Sequence, residues 1–267
     1  MEIPHTLQTK LQRLQELLVG YGRLAVAFSG GVDSSLLLKI SHDTLGDGVI
    51  ALFADSLVQP HGERLGALAT AKTIGAALEV IPFAPLSLAE FAANHAERCY
   101  HCKLAIFSIF LDVAKRREFP WLADGTNAND LSKHRPGMRA VAELGVKSPL
   151  ADAGLTKEEI RLVSRTLGLP TWNKPSASCL ATRIPTGTPI TPASLSLIDK
   201  AEAFLHSLGY LGCRVRLSTT TATIELAAGD ISRVTRQEDY IRVRDYLFAL
   251  GANKVFLDLL ERESILS

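Results

Sequence analysis

Two short stretches of this sequence combine residue types and spacings that suit chemistry. The first is Ser29-Gly30-Gly31-Val32-Asp33-Ser34-Ser35. Paired glycines let a backbone come close to an anion. Free N–H groups at a helix start, with the Ser34 and Ser35 hydroxyls, can donate to phosphate oxygens. The stretch lacks the lysine and spacing of G-x-x-x-x-G-K-[ST], and it is not G-x-G-x-x-G. Its plainer alternative is a tight strand-to-helix turn capped by serine. The second stretch is Cys99-Tyr100-His101-Cys102, followed by Lys103. Such a pair can belong to a metal site, form a redox or persulfide pair, or be two buried small residues. A structural zinc site asks for four N or S ligands. His101, lying between the two cysteines, is poorly placed to ligate alongside both.

A phosphate loop needs a strand before it and a helix after it. An apolar strand, Leu24 to Phe28, runs into the glycines, and a helix follows from Ser34 to Leu45. Further strands are expected at Val49–Ala54, Leu78–Phe83 and Trp121–Ala123. Helices are expected at about Gly62–Ile74 and Leu104–Lys115, after a first helix carrying Leu7, Leu11, Leu14, Leu17 and Leu18 on one face. Strands alternating with helices read as an α/β fold with a parallel sheet covered on both faces. Thr156 and Glu159 form a capping-box pattern before a helix ending near Gly168. From Pro170 to Pro192 there are five prolines and little periodicity, which reads as a functional loop rather than core. A smaller α/β unit follows. It has a helix from Thr191-Pro192 to Leu208, paired strands at Val215–Leu217 and Ala222–Leu226, a helix near Ile241–Leu250 and a strand at Lys254–Leu259. The expected domains are 1–172, a connecting loop at 173–189, and 190–267.

Of the 267 residues, 47% are hydrophobic, enough for a substantial core and against disorder. The formal charge of +1 gives no general field for nucleic acid. No apolar run approaches the roughly 18–20 residues needed to span a bilayer. No signal-peptide core precedes the first helix, so the expected location is the cytoplasm. Four cysteines are too few for a disulfide framework in a chain this long, which again favours metal or redox chemistry at Cys99 and Cys102.

The glycine loop resembles the PP-loop of the ATP pyrophosphatases, a class that includes GMP synthetase, tRNA thiolation enzymes and asparagine synthetase domains. The resemblance implies that the loop grips the pyrophosphate part of ATP through Ser29, Gly30, Gly31, Asp33, Ser34 and Ser35. Attack then occurs at the α-phosphorus. Asp33 would help hold magnesium, and Ser56 would neighbour the adenosine. Three further stretches narrow the likeness. They are Asp124-Gly125-Thr126-Asn127 with Asp130 and Arg135-Pro136-Gly137, then Ala177-Ser178-Cys179-Leu180-Ala181-Thr182-Arg183-Ile184-Pro185-Thr186-Gly187, and Cys213-Arg214-Val215-Arg216. In this order after a PP-loop, they resemble the ATP-dependent sulfur transferases that mature the nickel-pincer nucleotide of lactate racemase. The likeness runs from about Leu11 to Leu259.

That resemblance implies a pyridinium dicarboxylate mononucleotide as substrate. ATP adenylates one carboxylate, and sulfur then displaces AMP to leave a thiocarboxylate. In single-cysteine members the sulfur comes from the residue matching Cys179. This chain also carries Cys99 and Cys102, like members that hold a 4Fe-4S cluster on three cysteines. Three thiolates leave one iron without a protein ligand. Sulfide or another donor would then renew the sulfur. The same likeness assigns ATP contact to Asp124, substrate phosphate to Arg183, Arg214 and Arg262, and a magnesium contact to Glu202. It also implies a homo-oligomer, a hexamer in the family. Lys103 would stabilise charge developing on the adenylate. Read from sequence alone, Lys103 is a surface lysine at a helix start, the arginines are solvated, and Glu202 is an exposed helix carboxylate. Cys213, ahead of a strand pattern, reads as core. The seven histidines are scattered and carry no assigned role. The competing assignment is a tRNA thiolation enzyme, against which stand the absent RNA-binding module and the absent basic excess.

Overall fold

The computed structural model describes residues 4–131, 136–175, 178–227, 229–260 and 262. Arg135 and Ala177 of the motifs above lie outside the described residues. In chain order the elements are α1 (His5–Tyr21), β1 (Leu24–Ala27), α2 (Val32–Leu45), β2 (Val49–Asp55), α3 (Glu63–Ile74), β3 (Ala77–Pro82), α4 (Ala89–Ala92), α5 (Arg98–Arg116) and β4 (Trp121–Ala123). Then come α6 (Ala128–Leu131), α7 (Pro136–Glu143), α8 (Pro149–Asp152), α9 (Lys157–Thr166), α10 (Pro192–Ser207), β5 (Arg214–Ser218), β6 (Thr221–Glu225), α11 (Ile231–Val234), α12 (Gln237–Ala249) and β7 (Lys254–Leu257). The chain divides into two compact units. One gathers residues 1–55, 62–83 and 99–174, and the other 56–61, 84–98 and 175–267.

The first unit is built on a parallel sheet of order β3-β2-β1-β4. Leu24 is in register with both Val49 and Trp121. Side chains alternate across the sheet, so each strand feeds two cores. Leu24, Val26, Ala51 and Phe53 pack with Leu14 and Leu18 of α1, Leu36 and Leu37 of α2, and Ile160 and Val163 of α9. Ala25, Leu52 and Leu122 pack instead with Phe107, Phe110 and Val113 of α5. Both faces are covered, as parallel strands require. The capping box before α9 forms: the Thr156 side chain accepts from Glu159 N, and the Glu159 side chain accepts from Thr156 N.

The second unit carries a three-stranded sheet of order β5-β6-β7, with β5 antiparallel and β7 parallel to β6. Its earlier stretches are tied in by long-range bonds. Leu180 N donates to Val58 O at 2.8 Å, and His61 N to Asp199 Oδ1 at 2.6 Å. Asn94, fully buried, donates through Nδ2 to Pro185 O at 2.9 Å and Thr188 O at 2.8 Å.

The fold corrects two local expectations. The proline-rich segment is irregular but not free of the core, because Leu180, Ala181, Ile184 and Ile190 are all buried. Proline spacing hid them because no single period connects four apolar residues in a coil. Helix α5 begins at Arg98 rather than Leu104. Its first turn, Arg98 to His101, has no buried apolar residue, so apolar periodicity starts only later. Among the described residues, no helix is long and apolar enough to cross a membrane.

Candidate active site

The phosphate loop turns between β1 and α2. Gly30 has a left-handed backbone (φ +71°), and a Cβ there would lie 2.9 Å from that of Ala67. Only glycine fits both conditions. Ser29 and Ser34 brace the loop from within. Ser34 Oγ accepts from Ser29 N at 3.2 Å, and Ser29 Oγ accepts from Gly31 N at 3.3 Å. The N-cap of α2 is Gly31, with no side-chain cap hydrogen bond. The N–H groups of the first turn are thus offered to a ligand, with Asp33 in that same turn. The hydroxyl of Ser35 is buried and has no hydrogen-bond partner. The turn is built by the backbone rather than capped by a serine, and an uncapped helix start of this kind suits an anion.

The loop after β4 closes against this helix start. A Cβ on Gly125 would fall 2.9 Å from Ser34 N, so that residue must also be glycine. Asp124 is buried and acts as a hub. It accepts from Thr126 N at 3.1 Å, Thr126 Oγ1 at 2.7 Å and Ser148 Oγ at 2.9 Å. Lys103 Nζ lies 3.4 Å from its Oδ2 and 5.1 Å from the Phe107 ring centroid. Lys103 is therefore partly buried and held by an ion pair, rather than a free surface lysine. Asp33 accepts from Asn127 Nδ2 at 3.3 Å and pairs with the Lys157 ammonium.

Cys99 and Cys102 sit three residues apart among the first five residues of α5, so they share a helix face. Cys99 is exposed and Cys102 partly so. All four cysteines are thiols. Two neighbouring soft thiols on an accessible helix turn suit an iron–sulfur or other soft-metal centre. Among the described residues, no group of three or more His, Cys, Asp and Glu side chains is arranged to hold a metal ion.

Cys179, in the second unit, is the N-cap of a short 3₁₀ turn, Leu180–Arg183. Its carbonyl accepts from Thr182 Oγ1 at 2.7 Å and from Arg183 Nη1 at 3.2 Å. Arg183 Nη1 also reaches Ser178 O at 2.8 Å, while Nε and Nη2 bond Glu202 at 3.0 and 3.1 Å. Glu202 Oε1 accepts Val215 N as well, at 3.0 Å. Arg183 and Glu202 are each only 5% exposed. Neither the solvated arginine nor the exposed carboxylate expected from the sequence survives. Glu202 lies on the buried stripe of α10 with Leu195, Ile198 and Leu205, so its charge had to be paired.

Around this pair, four guanidiniums (Arg183, Arg214, Arg216 and Arg262) face two carboxylates, Glu202 and Glu225. Burial first, then the Arg262 and Arg183 charges, push the Arg214 pKa down to about 10. Burial likewise lowers that of Arg262. Arg262 Nη1 is buried without a hydrogen-bond partner. A cationic excess with an orphaned donor favours an entering anion. Cys213 is buried nearby, and burial, then Glu202, raise its pKa to about 12. It is core, as its place before a strand suggests. Ser56 makes a local turn, its Oγ accepting from Val58 N at 3.5 Å.

Over 255 residues the chain is 35% identical to the pyridinium-3,5-bisthiocarboxylic acid mononucleotide synthase of Lactiplantibacillus plantarum, covering 95% of this chain and 92% of that one. The chain belongs to this synthase's family. It is an ATP-dependent enzyme of the PP-loop class. An uncharacterised protein of Synechocystis is 37% identical over 85% of each chain. One subunit of the glutamine-hydrolysing GMP synthase of Thermococcus kodakarensis is 25% identical over 75% of this chain and 69% of its own length. No protein-family model matches.

Several residues beside the expected site were given no role by the sequence. Lys157 and Asn127 hold Asp33, and Lys174 Nζ donates to Gly30 O at 3.0 Å. Arg216 pairs with Glu225 and donates to Thr182 O at 3.2 Å. Asn127 and Arg216 stand inside the motifs quoted above, and Arg216 shares a strand face with Arg214 two residues before it; Lys157 and Lys174 carry no such signal.

Proposed function

We propose that this enzyme adenylates a carboxylate of a pyridinium dicarboxylate mononucleotide and converts it to a thiocarboxylate, in the making of a nickel-pincer nucleotide. The observation that carries the reading is the likeness, over 95% of the chain, to a synthase named for a bisthiocarboxylic product. A substrate carboxylate oxygen attacks the α-phosphorus of ATP, and the bond to the bridging oxygen breaks, releasing pyrophosphate. Sulfur then attacks the acyl carbon, and the C–O bond to AMP breaks. The backbone N–H groups of the phosphate loop and the Ser29, Ser34 and Ser35 hydroxyls bind the pyrophosphate oxygens. Asp33 offers magnesium a hard oxygen ligand, and Lys103 meets charge developing on the adenylate. Asp124 orders the loop that holds Lys103, and Ser56 neighbours the adenosine.

Arg214 and Arg262 take the substrate phosphate. Arg183, its donors engaged by the Cys179 loop and Glu202, serves that site by holding its cationic neighbours in place. Glu202 enters a magnesium site only if Arg183 shifts. We further propose the three-cysteine variant, with Cys99, Cys102 and Cys179 holding a 4Fe-4S cluster. The shared helix face of Cys99 and Cys102 supports it. A cluster held by these three cysteines would supply sulfur renewed from sulfide or a related donor, and Cys179 would survive turnover. The domain division at 173–189, which would bring Cys179 to the ATP site, and a homo-oligomeric state belong to the same proposal.

Asp33→Ala is expected to abolish pyrophosphate release from ATP and the dicarboxylate nucleotide, with the circular dichroism spectrum unchanged. A folded variant that still releases pyrophosphate at the parent rate rejects the assignment. Anaerobically purified protein should contain iron and acid-labile sulfide, and each of Cys99→Ala, Cys102→Ala and Cys179→Ala should lose them. Absence of iron, with Cys179 converted to dehydroalanine after turnover, establishes sacrificial transfer instead.

A further inference from the structure

Asp33 follows Val32 in the uncapped first turn of α2, so it sets a negative charge where the phosphate loop would receive another. Both of its oxygens are engaged. Oδ1 accepts from Asn127 Nδ2 at 3.3 Å, and Oδ2 pairs with the Lys157 ammonium. The two contacts differ in what stands behind them. Asn127 is buried, and its own Oδ1 accepts from Asn129 N at 3.0 Å. Lys157 is anchored at its backbone, where its N–H donates to Asn129 Oδ1 at 2.8 Å, next to the Thr156 cap of α9. Its ammonium ends a flexible stem. The Lys157 and Asp33 side chains are 28% and 23% exposed, and an ion pair this open to solvent exchanges partners readily.

We propose that Lys157 is a phosphate-binding residue held in reserve on Asp33, an inference that rests on the reading above that the phosphate loop grips ATP with Asp33 turned to magnesium. A phosphate arriving at the start of α2 meets the Asp33 carboxylate as a like charge. Lys157 relieves that repulsion best by crossing to the phosphate, where its ammonium makes a charge-assisted bond. The crossing releases Asp33 Oδ2, a hard oxygen of the kind magnesium takes. Asn127 keeps Oδ1, so the carboxylate stays in place while its other oxygen changes partner. Asp33 thereby exchanges a monovalent partner for a divalent one, and the site gains cationic charge only when nucleotide and metal arrive together. Until then Asp33 cancels the ammonium, and a lone small anion meets a neutral pair.

The test uses the full-length protein and α,β-methylene-ATP, which cannot release pyrophosphate, with affinities read by titration calorimetry. In EDTA, Asp33→Asn should bind the analogue about fivefold tighter than the parent, because it frees the ammonium and removes the like charge. Adding Lys157→Met to Asp33→Asn should then weaken binding by about tenfold or more, and adding Lys157→Arg by less than about threefold. With saturating magnesium, the parent should tighten about tenfold and Asp33→Asn less than about threefold. A loss under about twofold from Lys157→Met in the Asp33→Asn background overturns the phosphate role, since a mere brace for Asp33 has no charge left to brace there. Lys157→Gln repeats that measurement if the methionine variant does not fold. Equal gains from magnesium in the parent and Asp33→Asn overturn the exchange. A parent that does not bind the analogue even with magnesium rejects the phosphate-loop reading itself, whereas a parent that binds it without these differences rejects only the role of Lys157. Neither the pyridinium substrate nor sulfur enters the measurement, so thiocarboxylate formation is judged apart from it.

Discussion

In the phosphate loop, shape comes from the backbone: glycines at Gly30 and Gly125 where a Cβ would collide, and a helix start left uncapped. Around Cys179, shape comes from side chains: one buried ion pair, Arg183–Glu202, gathers the carbonyls of Ser178 and Cys179 and the N–H of Val215. A backbone-built site is robust to charge and sensitive to volume. A site built on a buried ion pair is the reverse. Each region should therefore fail under a different kind of substitution.

The largest effect belongs to the ion pair. Glu202→Ala leaves the buried guanidinium unpaired and should cost about 3–5 kcal/mol of stability, measured by urea unfolding. Replacing Arg183 and Glu202 together with methionine should cost much less, because no charge is stranded. If Glu202→Ala costs under about 1 kcal/mol, the pair does not hold the Cys179 loop.

Gly30→Ala comes next. It places a side chain in left-handed backbone against Ala67, for an expected loss of about 1–3 kcal/mol. Calorimetric titration with magnesium and ATP should show binding weakened as well. Unaltered nucleotide affinity in this variant would mean that the loop tolerates volume and that the two regions do not differ in this way.

The smallest effect concerns Cys213. Its thiol ionises near 9 when unfolded and at about 12 in the folded protein. The unfolded chain therefore gives up the proton first, and the native state loses stability as pH rises from about 9 towards about 12. At pH 10 the loss is on the order of 1 kcal/mol. A Cys213→Ala variant should show a correspondingly shallower decline over that range. Equal slopes for variant and parent would place the thiol in a wetter setting.

The same contrast explains what could be read in the sequence. The strands of the parallel sheet and the glycine turn between β1 and α2 rest on local signals: apolar runs, adjacent glycines, a capping box at Thr156 and Glu159. These were legible with boundaries within a few residues, except where α5 opens on a polar turn. The partners of Asp33 were not legible, because Lys157 lies 124 residues away along the chain. Nor was the burial of Arg183, whose partner Glu202 lies 19 residues on. Side-chain pairing across such separations leaves no period or spacing to detect. Glu202 is the intermediate case. Its helical register with Leu195, Ile198 and Leu205 pointed inward, but its charge argued for the surface, and only an arginine brought by the fold reconciles the two.

The second unit draws on residues 56–61 and 84–98 long before its main body, 175–267, is made. Asn94 must wait for Pro185, 91 residues later, which at roughly 5–20 residues per second takes between about 5 and 18 seconds of synthesis. Meanwhile the residues of the first unit are all made by residue 174. Translation thus imposes an order of assembly: the unit that carries the glycine loop can close while the ribosome is still working, and the unit that carries Cys179 closes last.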